Sequence, residues 1–381
     1  MEGVMARNIM IVTGEASGDM YGSLLACEIK RIAPDVSLSG VGGEAMRDEG
    51  VEILLDSGEI SVVGIWEALV RLAKLRDALE RIKREIAARH PDLLILIDYP
   101  GMNLRLAKFA KSIGVRVMYY ISPQVWAWGR GRIKAIRRNV DKLVVILPFE
   151  VELYRREGVN ATYVGHPLID IVKTGLGREA FLEETGLAGS RKIVSLLPGS
   201  RREEIRQHLG PLLETASLLK KSDPEVGFVL VTLPAFEAMV RREIARSGVD
   251  VSVTTKYRYE AMAYSDLAIT CSGTVTLEVA LVGTPMIVIY RLAAFSWTLC
   301  RLIVKVPYIA LVNLVAREMI VPEFIQAEVK AERLAREAAR LLADEGRRRA
   351  MADKLAQVKS RLGPGGATGR AAQAALELIS K

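Results

Sequence analysis

Leu93-Leu94-Ile95-Leu96-Ile97-Asp98-Tyr99-Pro100-Gly101-Met102-Asn103 is the stretch from which the fold can be read. Five consecutive apolar residues make a strand that must be covered on both faces, because a strand with one wet face alternates apolar and polar residues. Such strands belong to parallel sheets flanked by helices. The sequence on either side keeps the matching rhythm, with short β-branched runs separated by longer amphipathic stretches. Strand candidates are 9–13, 37–41, 93–97, 116–121, 142–146 and 162–164, with helix candidates 21–32, 66–88 and 104–113 among them. After a mixed polar stretch at 173–191 the rhythm restarts, with strands expected at 193–197, 227–232, 251–254, 267–270 and 286–290. The expected fold is α/β, built as two doubly wound Rossmann-like domains with the site in the cleft between them. The expected boundaries are 1–170 and 171–355. A helical tail, 356–381, broken by Gly363-Pro364-Gly365-Gly366, is expected to pack back on the first domain.

A chain of 381 residues exceeds what one core usually organises, in keeping with two domains. Hydrophobic residues make up 50% and charged residues 26%, a globular composition that excludes a disordered or fibrous protein. The net charge of +8 favours anionic partners. Three cysteines without a CxxC pair and three scattered histidines argue against a disulfide scaffold or a multi-histidine metal centre. No Asp-x-Asp occurs, so a divalent-metal clamp on a diphosphate has no obvious ligands. Neither a signal peptide nor an apolar run of 18 residues is visible, and a cytoplasmic location is expected.

Chemistry is expected where strands end. Gly14, Glu15, Ser17, Gly18 and Asp19 form a strand-to-helix turn whose glycines let a ligand approach the backbone; the alternative is a tight turn capped by Asp19. Asp98 ends the central strand among apolar neighbours, a position suited to a general base, with a structural capping carboxylate as the alternative. Ser122, Trp126 and Trp128 lie in a Pro-containing loop that reads as a rigid apolar wall for a sugar face or acyl chain. Arg130, Arg132, Lys134, Arg137 and Arg138 follow without an acid, either as a solvated basic face or as contacts to phosphate or lipid headgroups. No nucleic-acid-binding motif accompanies them, and nucleic acid is not an expected partner. In the second half, Pro198-Gly199-Ser200-Arg201 presents a guanidinium suited to a diphosphate. Ser272, Gly273 and Thr274 open a helix whose first amides suit phosphate oxygens, and Glu278 one turn later suits ribose hydroxyls. His166 reads as a residue of the interdomain hinge, with a catalytic base as the alternative, and His90 and His208 read as surface residues.

Together these loops resemble one family, lipid-A-disaccharide synthase. GEASGD at 14–19, SPQVWAW at 122–128, LPFE at 147–150, VGHP at 164–167, LLPGSR at 196–201, SGTVTLE at 272–278 and PEFIQ at 322–326 match its landmarks in order. The resemblance implies a GT-B glycosyltransferase whose second domain binds UDP. It also implies metal-independent inverting transfer, without a cofactor, from UDP-2,3-diacylglucosamine to 2,3-diacylglucosamine 1-phosphate. The products would be a β-1,6-linked disaccharide 1-phosphate of lipid A biosynthesis and UDP. It further matches Asn313 and Gln326 to positions near the donor. The family's typical Asp-x-Pro-Asp-Phe-Asn reads Asp98-Tyr99-Pro100-Gly101-Met102-Asn103 here, so Asp98 and Asn103 remain and the second carboxylate is lost.

Diacylated substrates reside in a membrane, so peripheral attachment to the inner membrane is expected. Ile65, Trp66 and Leu69, with Arg71, Lys74 and Arg76 alongside, combine apolar and basic residues as an anionic membrane surface requires; a core helix is the alternative. The sequence leaves the oligomeric state open, a homodimer among the options. The competing functions are an epimerase-like GT-B enzyme on a soluble UDP-sugar and a non-catalytic nucleotide- or membrane-binding module.

Overall fold

The computed structural model describes residues 7–14, 16–60, 68–126, 129, 131–292, 297 and 306–380. The first sheet contains β1 Asn8–Val12, β2 Ser37–Gly42, β3 Glu52–Asp56, β4 Leu93–Ile97, β5 Arg116–Tyr120, β6 Lys142–Val145 and β7 Ala161–Tyr163. Its order is β3-β2-β1-β4-β5-β6-β7 and its pairings are parallel. The second contains β8 Lys192–Leu197, β9 Val226–Val231, β10 Ser252–Thr254, β11 Leu267–Cys271, β12 Met286–Tyr290 and β13 Glu323–Ile325. Its order, β10-β9-β8-β11-β12-β13, is again parallel throughout. Each sheet therefore winds outward in both directions from a central pair, β1/β4 and β8/β11. Ligands of such sheets bind beyond the carboxyl ends of strands beside that reversal.

Every residue of β4 is fully buried, as a strand covered by helices on both faces must be. Two strands, β3 and β13, were not expected from the sequence. Both are edge strands, each containing a Glu and only partly buried, so they lack a continuous apolar run. Helix Pro100–Ser112 begins four residues earlier than its apolar periodicity suggested. Pro100 occupies its first turn, where a missing N–H leaves no bond unmade.

The chain divides into one unit of Met1–Pro167 with Gly363–Lys381 and a second of Leu168–Leu362. The boundaries expected at 170/171 and 355/356 thus fall at 167/168 and 362/363. The later one moves because Glu345–Arg361 is a single uninterrupted helix. Helix Ala367–Ser380 packs on helix Ala16–Ile32 of the first unit. The Arg370 guanidinium holds the returning chain, donating to the carbonyls of Val164 (2.6 and 2.9 Å), Pro364 (2.9 Å) and Gly365 (2.8 Å). Among the described residues no helix is long and apolar enough to cross a membrane.

Candidate functional site

At the carboxyl ends of β4 and β5 the backbone is strained. Asp98, Tyr99 and Ile121 adopt φ of +48°, +43° and +61°, in the left-handed region that L side chains rarely occupy. Each such residue costs about 1–3 kcal/mol and persists only where its surroundings over-determine it. The determinants here are visible. The Asn103 amide donates to the carbonyls of Ile97 (3.0 Å) and Asp98 (2.8 Å), and the Tyr119 hydroxyl donates to the Asp98 carbonyl at 2.5 Å. Both side chains are buried, and burial pushes the Tyr119 phenol well up, so it stays a donor. The Asp98 main chain is thereby held through its carbonyl, and the residue sits half-buried at the strand end.

Much of the GEASGD turn is committed to packing. A Cβ on Gly14 would lie 2.3 Å from Cγ of Tyr99, so the glycine makes room for that ring beside Asp98. Gly18 lets helix Ala16–Ile32 approach Thr13, with 3.1 Å from a built Cβ to the Thr13 Cβ. The Asp19 carboxylate accepts from the amides of Gly43 (2.6 Å), Ala45 (3.1 Å) and Met46 (3.4 Å), capping helix Glu44–Asp48 instead of its own turn. Ser17 is exposed, and Glu15 lies outside the described residues. Among the described residues nothing lies within 4 Å of a Cβ built on Gly101, the position where the family pattern has its second carboxylate.

The Ser122–Trp126 loop is tied to a buried acid. The Ser122 hydroxyl donates to Glu150 Oε1 at 2.7 Å, and the Leu147 amide donates to Oε2 at 3.1 Å. Burial pushes the Glu150 carboxyl up to about 7, against the pull of the Ser122 hydrogen bond. Trp126 meets Phe149 edge-on, with centroids 5.5 Å apart. The Tyr154 hydroxyl donates to the Pro123 carbonyl at 3.3 Å. Trp128 lies outside the described residues, as do Ile65 and Trp66. Leu69 falls in the first turn of helix Ala68–Arg89, in which Lys74 and Arg76 are exposed.

In the second unit, β8 ends in Pro198–Arg201, with Gly199 at φ +124°. Arg201 caps helix Arg202–Ser222 and is mostly exposed, its guanidinium 3.4 Å from Glu204 Oε1. Glu204 Oε2 accepts from the amides of Ser200 (3.0 Å) and Arg201 (3.2 Å), so a carboxylate already demonstrates that this helix start takes an anion. At the end of β11, the Ser272 hydroxyl donates to the Ile309 carbonyl at 2.9 Å, and Gly273 takes φ +141°. Thr274 is exposed at the start of helix Val275–Val282. Glu278 is buried and paired with Arg258, a residue the sequence did not single out. Burial raises the Glu278 carboxyl and Arg258 opposes the shift.

Asn313 is buried and saturated by its own unit. Its amide donates to the Val321 carbonyl (2.9 Å) and Glu323 Oε1 (2.8 Å), while its oxygen accepts from Ile320 (2.9 Å) and Val321 (3.1 Å) amides. Gln326, at φ +52°, faces Leu292 with its amide nitrogen donating to the carbonyl at 3.2 Å and its oxygen accepting from the N–H at 3.1 Å. His208 overturns its surface reading. It is fully buried, with Nδ1 2.8 Å from the Pro198 carbonyl and Nε2 accepting from the Arg291 amide at 2.9 Å. His166 is likewise buried, and desolvation lowers it to about 3, leaving it neutral. Glu150 had a visible signal, since the Leu-Pro-Phe-Glu run places Pro at the first turn and a Glu three residues beyond the cap. Among the described residues no cluster of His, Cys, Asp and Glu could hold a metal ion.

The family model described as lipid-A-disaccharide synthetase matches residues 9–377. The chain is similar to the lipid-A-disaccharide synthase of Geobacter sulfurreducens, 44% identical over 99% of this chain and 98% of that one. It is also similar to that of Nitrosococcus oceani, 42% identical over 94% and 92%. Among solved structures, a Neisseria meningitidis UDP-GlcNAc 2-epimerase bound to UDP-GlcNAc aligns with TM-score 0.67 at 12% identity, over 97% of this chain and 100% of that one. An S. aureus MnaA–UDP co-structure aligns with TM-score 0.67 at 12% identity over 98% of each. At such identity the structural likeness establishes the fold, which is of the GT-B type.

Proposed function

The chain belongs to the lipid-A-disaccharide synthetase family, and from that membership we infer an inverting glycosyl transfer of lipid A disaccharide synthesis. UDP-2,3-diacylglucosamine is the donor and 2,3-diacylglucosamine 1-phosphate the acceptor; a β-1,6-linked disaccharide 1-phosphate and UDP leave. The observation that carries the reading is the strained turn at Asp98, because backbone strain held by Asn103 and Tyr119 is a cost borne where geometry matters for chemistry. Asp98 takes the proton from the acceptor 6-hydroxyl as that oxygen attacks the anomeric carbon and the bond to UDP breaks. Inversion follows from attack on the face opposite the leaving group. Negative charge develops on the departing UDP, and Arg201 with the amides opening helix Val275–Val282 stabilises it. Glu278 accepts from ribose hydroxyls in this reading. No metal or cofactor takes part.

The direct test supplies both diacylglucosamine substrates and follows products by mass spectrometry, with and without EDTA. A tetraacyl disaccharide 1-phosphate formed equally in both is the expected result. Activity on a soluble UDP-sugar alone would favour the epimerase-like alternative, and activity lost on chelation and restored by Mg²⁺ would remove the metal-free mechanism. On the donor side, Arg201→Ala should weaken UDP by about 1.5–3 kcal/mol, the scale of a hydrogen bond to a charged group. Calorimetric titration with UDP reads this directly; unchanged affinity would take Arg201 out of the donor site.

Membrane docking through Ile65, Trp66 and Leu69 is part of the same proposal. It is supported by the apolar sequence there and by the exposed Lys74 and Arg76 that follow. Each apolar side chain leaving water contributes up to about 1.5–3 kcal/mol. The double change Ile65→Ser with Trp66→Ser should release the protein from anionic vesicles while UDP binding and melting temperature hold. Raising salt should weaken the wild-type attachment, because the basic contribution is screened. A variant that instead melts many degrees earlier, with vesicle binding unchanged in the folded fraction, would show a core segment.

A further inference from the structure

The carboxyl ends of β8 and β12 are separated by β11, yet one side chain joins them. His208, on helix Arg202–Ser222, reaches the Pro198 carbonyl with Nδ1 (2.8 Å) and the Arg291 amide with Nε2 (2.9 Å). Because Nε2 must accept from a backbone N–H, the proton sits on Nδ1 and is donated to Pro198. The neutral ring is fully spent on two loops and is itself fully buried. Both loops bear on the donor side. The first is Pro198–Arg201, whose Ser200 and Arg201 amides are held by Glu204, one turn before His208 on the same helix. The second is the backbone at Arg291 and Leu292, which is gripped by the amide of Gln326, the residue that follows β13.

We propose that His208 is a positioning residue of the donor site, whose imidazole sets the separation between the diphosphate loop Pro198–Arg201 and the backbone at Arg291–Leu292. Resting on the reading of this unit as the UDP-binding one, the inference adds how that site keeps its width. The Pro198 carbonyl fixes the peptide plane entering Gly199, and so the direction in which the following amides and Arg201 point. A phosphate binder loses affinity when its donors are misdirected, whereas the chemical step, once the donor is seated, is little affected. The ring touches neither substrate.

Two variants each keep half of the bridge. His208→Asn retains a group near Nδ1 and loses the contact to Arg291; His208→Gln retains one near Nε2 and loses the contact to Pro198. Both should raise the Kd for UDP and the KM for the sugar donor about 5–20-fold, by roughly the worth of one lost neutral hydrogen bond or somewhat more. Turnover at saturating donor should stay within about threefold of wild type, and melting within a few degrees. In the unmodified protein, UDP should slow amide exchange at 197–201 and at 289–292 together. UDP affinity and KM at wild-type values in either folded variant would overturn the inference, as would a loss confined to turnover or exchange protection at 197–201 alone. Those outcomes leave the functional reading standing. A wild-type protein that binds no UDP would instead remove the functional reading and the inference with it.

Discussion

Turnover of Asp98→Asn is expected to fall by about 10²–10⁴, the usual worth of a positioned general base. That corresponds to about 3–5.5 kcal/mol of barrier. Asn is the informative substitution for a structural reason. Asp98 occupies φ +48°, where Asn is among the few residues readily accommodated and Ala is strained. The turn is moreover held through main-chain carbonyls by Asn103 and Tyr119, so losing the carboxylate leaves the backbone in place. The fall in turnover should therefore come with unchanged melting and unchanged UDP affinity. Wild-type turnover of the Asn variant with saturating acceptor would exclude Asp98 as the base.

The second large effect is one of stability. Glu150 titrates near 7 in the folded chain against an ordinary 4.5. A raised folded value means that the native state holds its proton more tightly than the unfolded chain does. The associated stability is complete below about pH 4.5 and is lost as pH rises through about 7. At about 1.4 kcal/mol per pH unit the swing is about 3 kcal/mol. Glu150→Gln removes it while keeping the fit, since the amide oxygen accepts from the Leu147 N–H and its nitrogen donates to a Ser122 hydroxyl turned to accept. Relative to wild type, the Gln variant should gain about 6–12 °C in the first unit's melting transition between pH 5 and pH 8. Parallel melting curves across that range would mean that Glu150 is not what the pH is moving.

The central strands could be read because burial on both faces demands apolar residues, which run unbroken through β4 and are broken within 193–197 of β8 only by the buried Ser195. The loops bearing Asp98, Arg201 and Gly273 could be read because glycine, charge and strand ends coincide there. What escaped depends on partners distant in sequence. Asp19 caps amides 24 to 27 residues away, which no local pattern announces. Asn313 carries the composition of a ligand-binding amide, but Ile320, Val321 and Glu323 absorb all its bonds. His208 looked exposed because Arg206 and Gln207 precede it. Its spacing to the buried Ile205, Leu209 and Leu212 in fact continues the helix's inward stripe, a signal that was present and outweighed by charge. Glu278 was legible as a buried-helix acid only together with Arg258, 20 residues earlier on a different helix.

The return of Gly363–Lys381 to the first unit sets an order of events on the ribosome. The N-terminal sheet emerges early, but the face of helix Ala16–Ile32 that helix Ala367–Ser380 covers must wait while the 195 residues from Leu168 to Leu362 are translated. At about 5–20 residues per second that is roughly 10–40 s of exposure for an unfinished apolar surface. The half of the protein that is made first is completed last. A nascent chain stalled before Arg370 carries a finished second unit and an incomplete first one, whose bare helix face is a natural target for a chaperone.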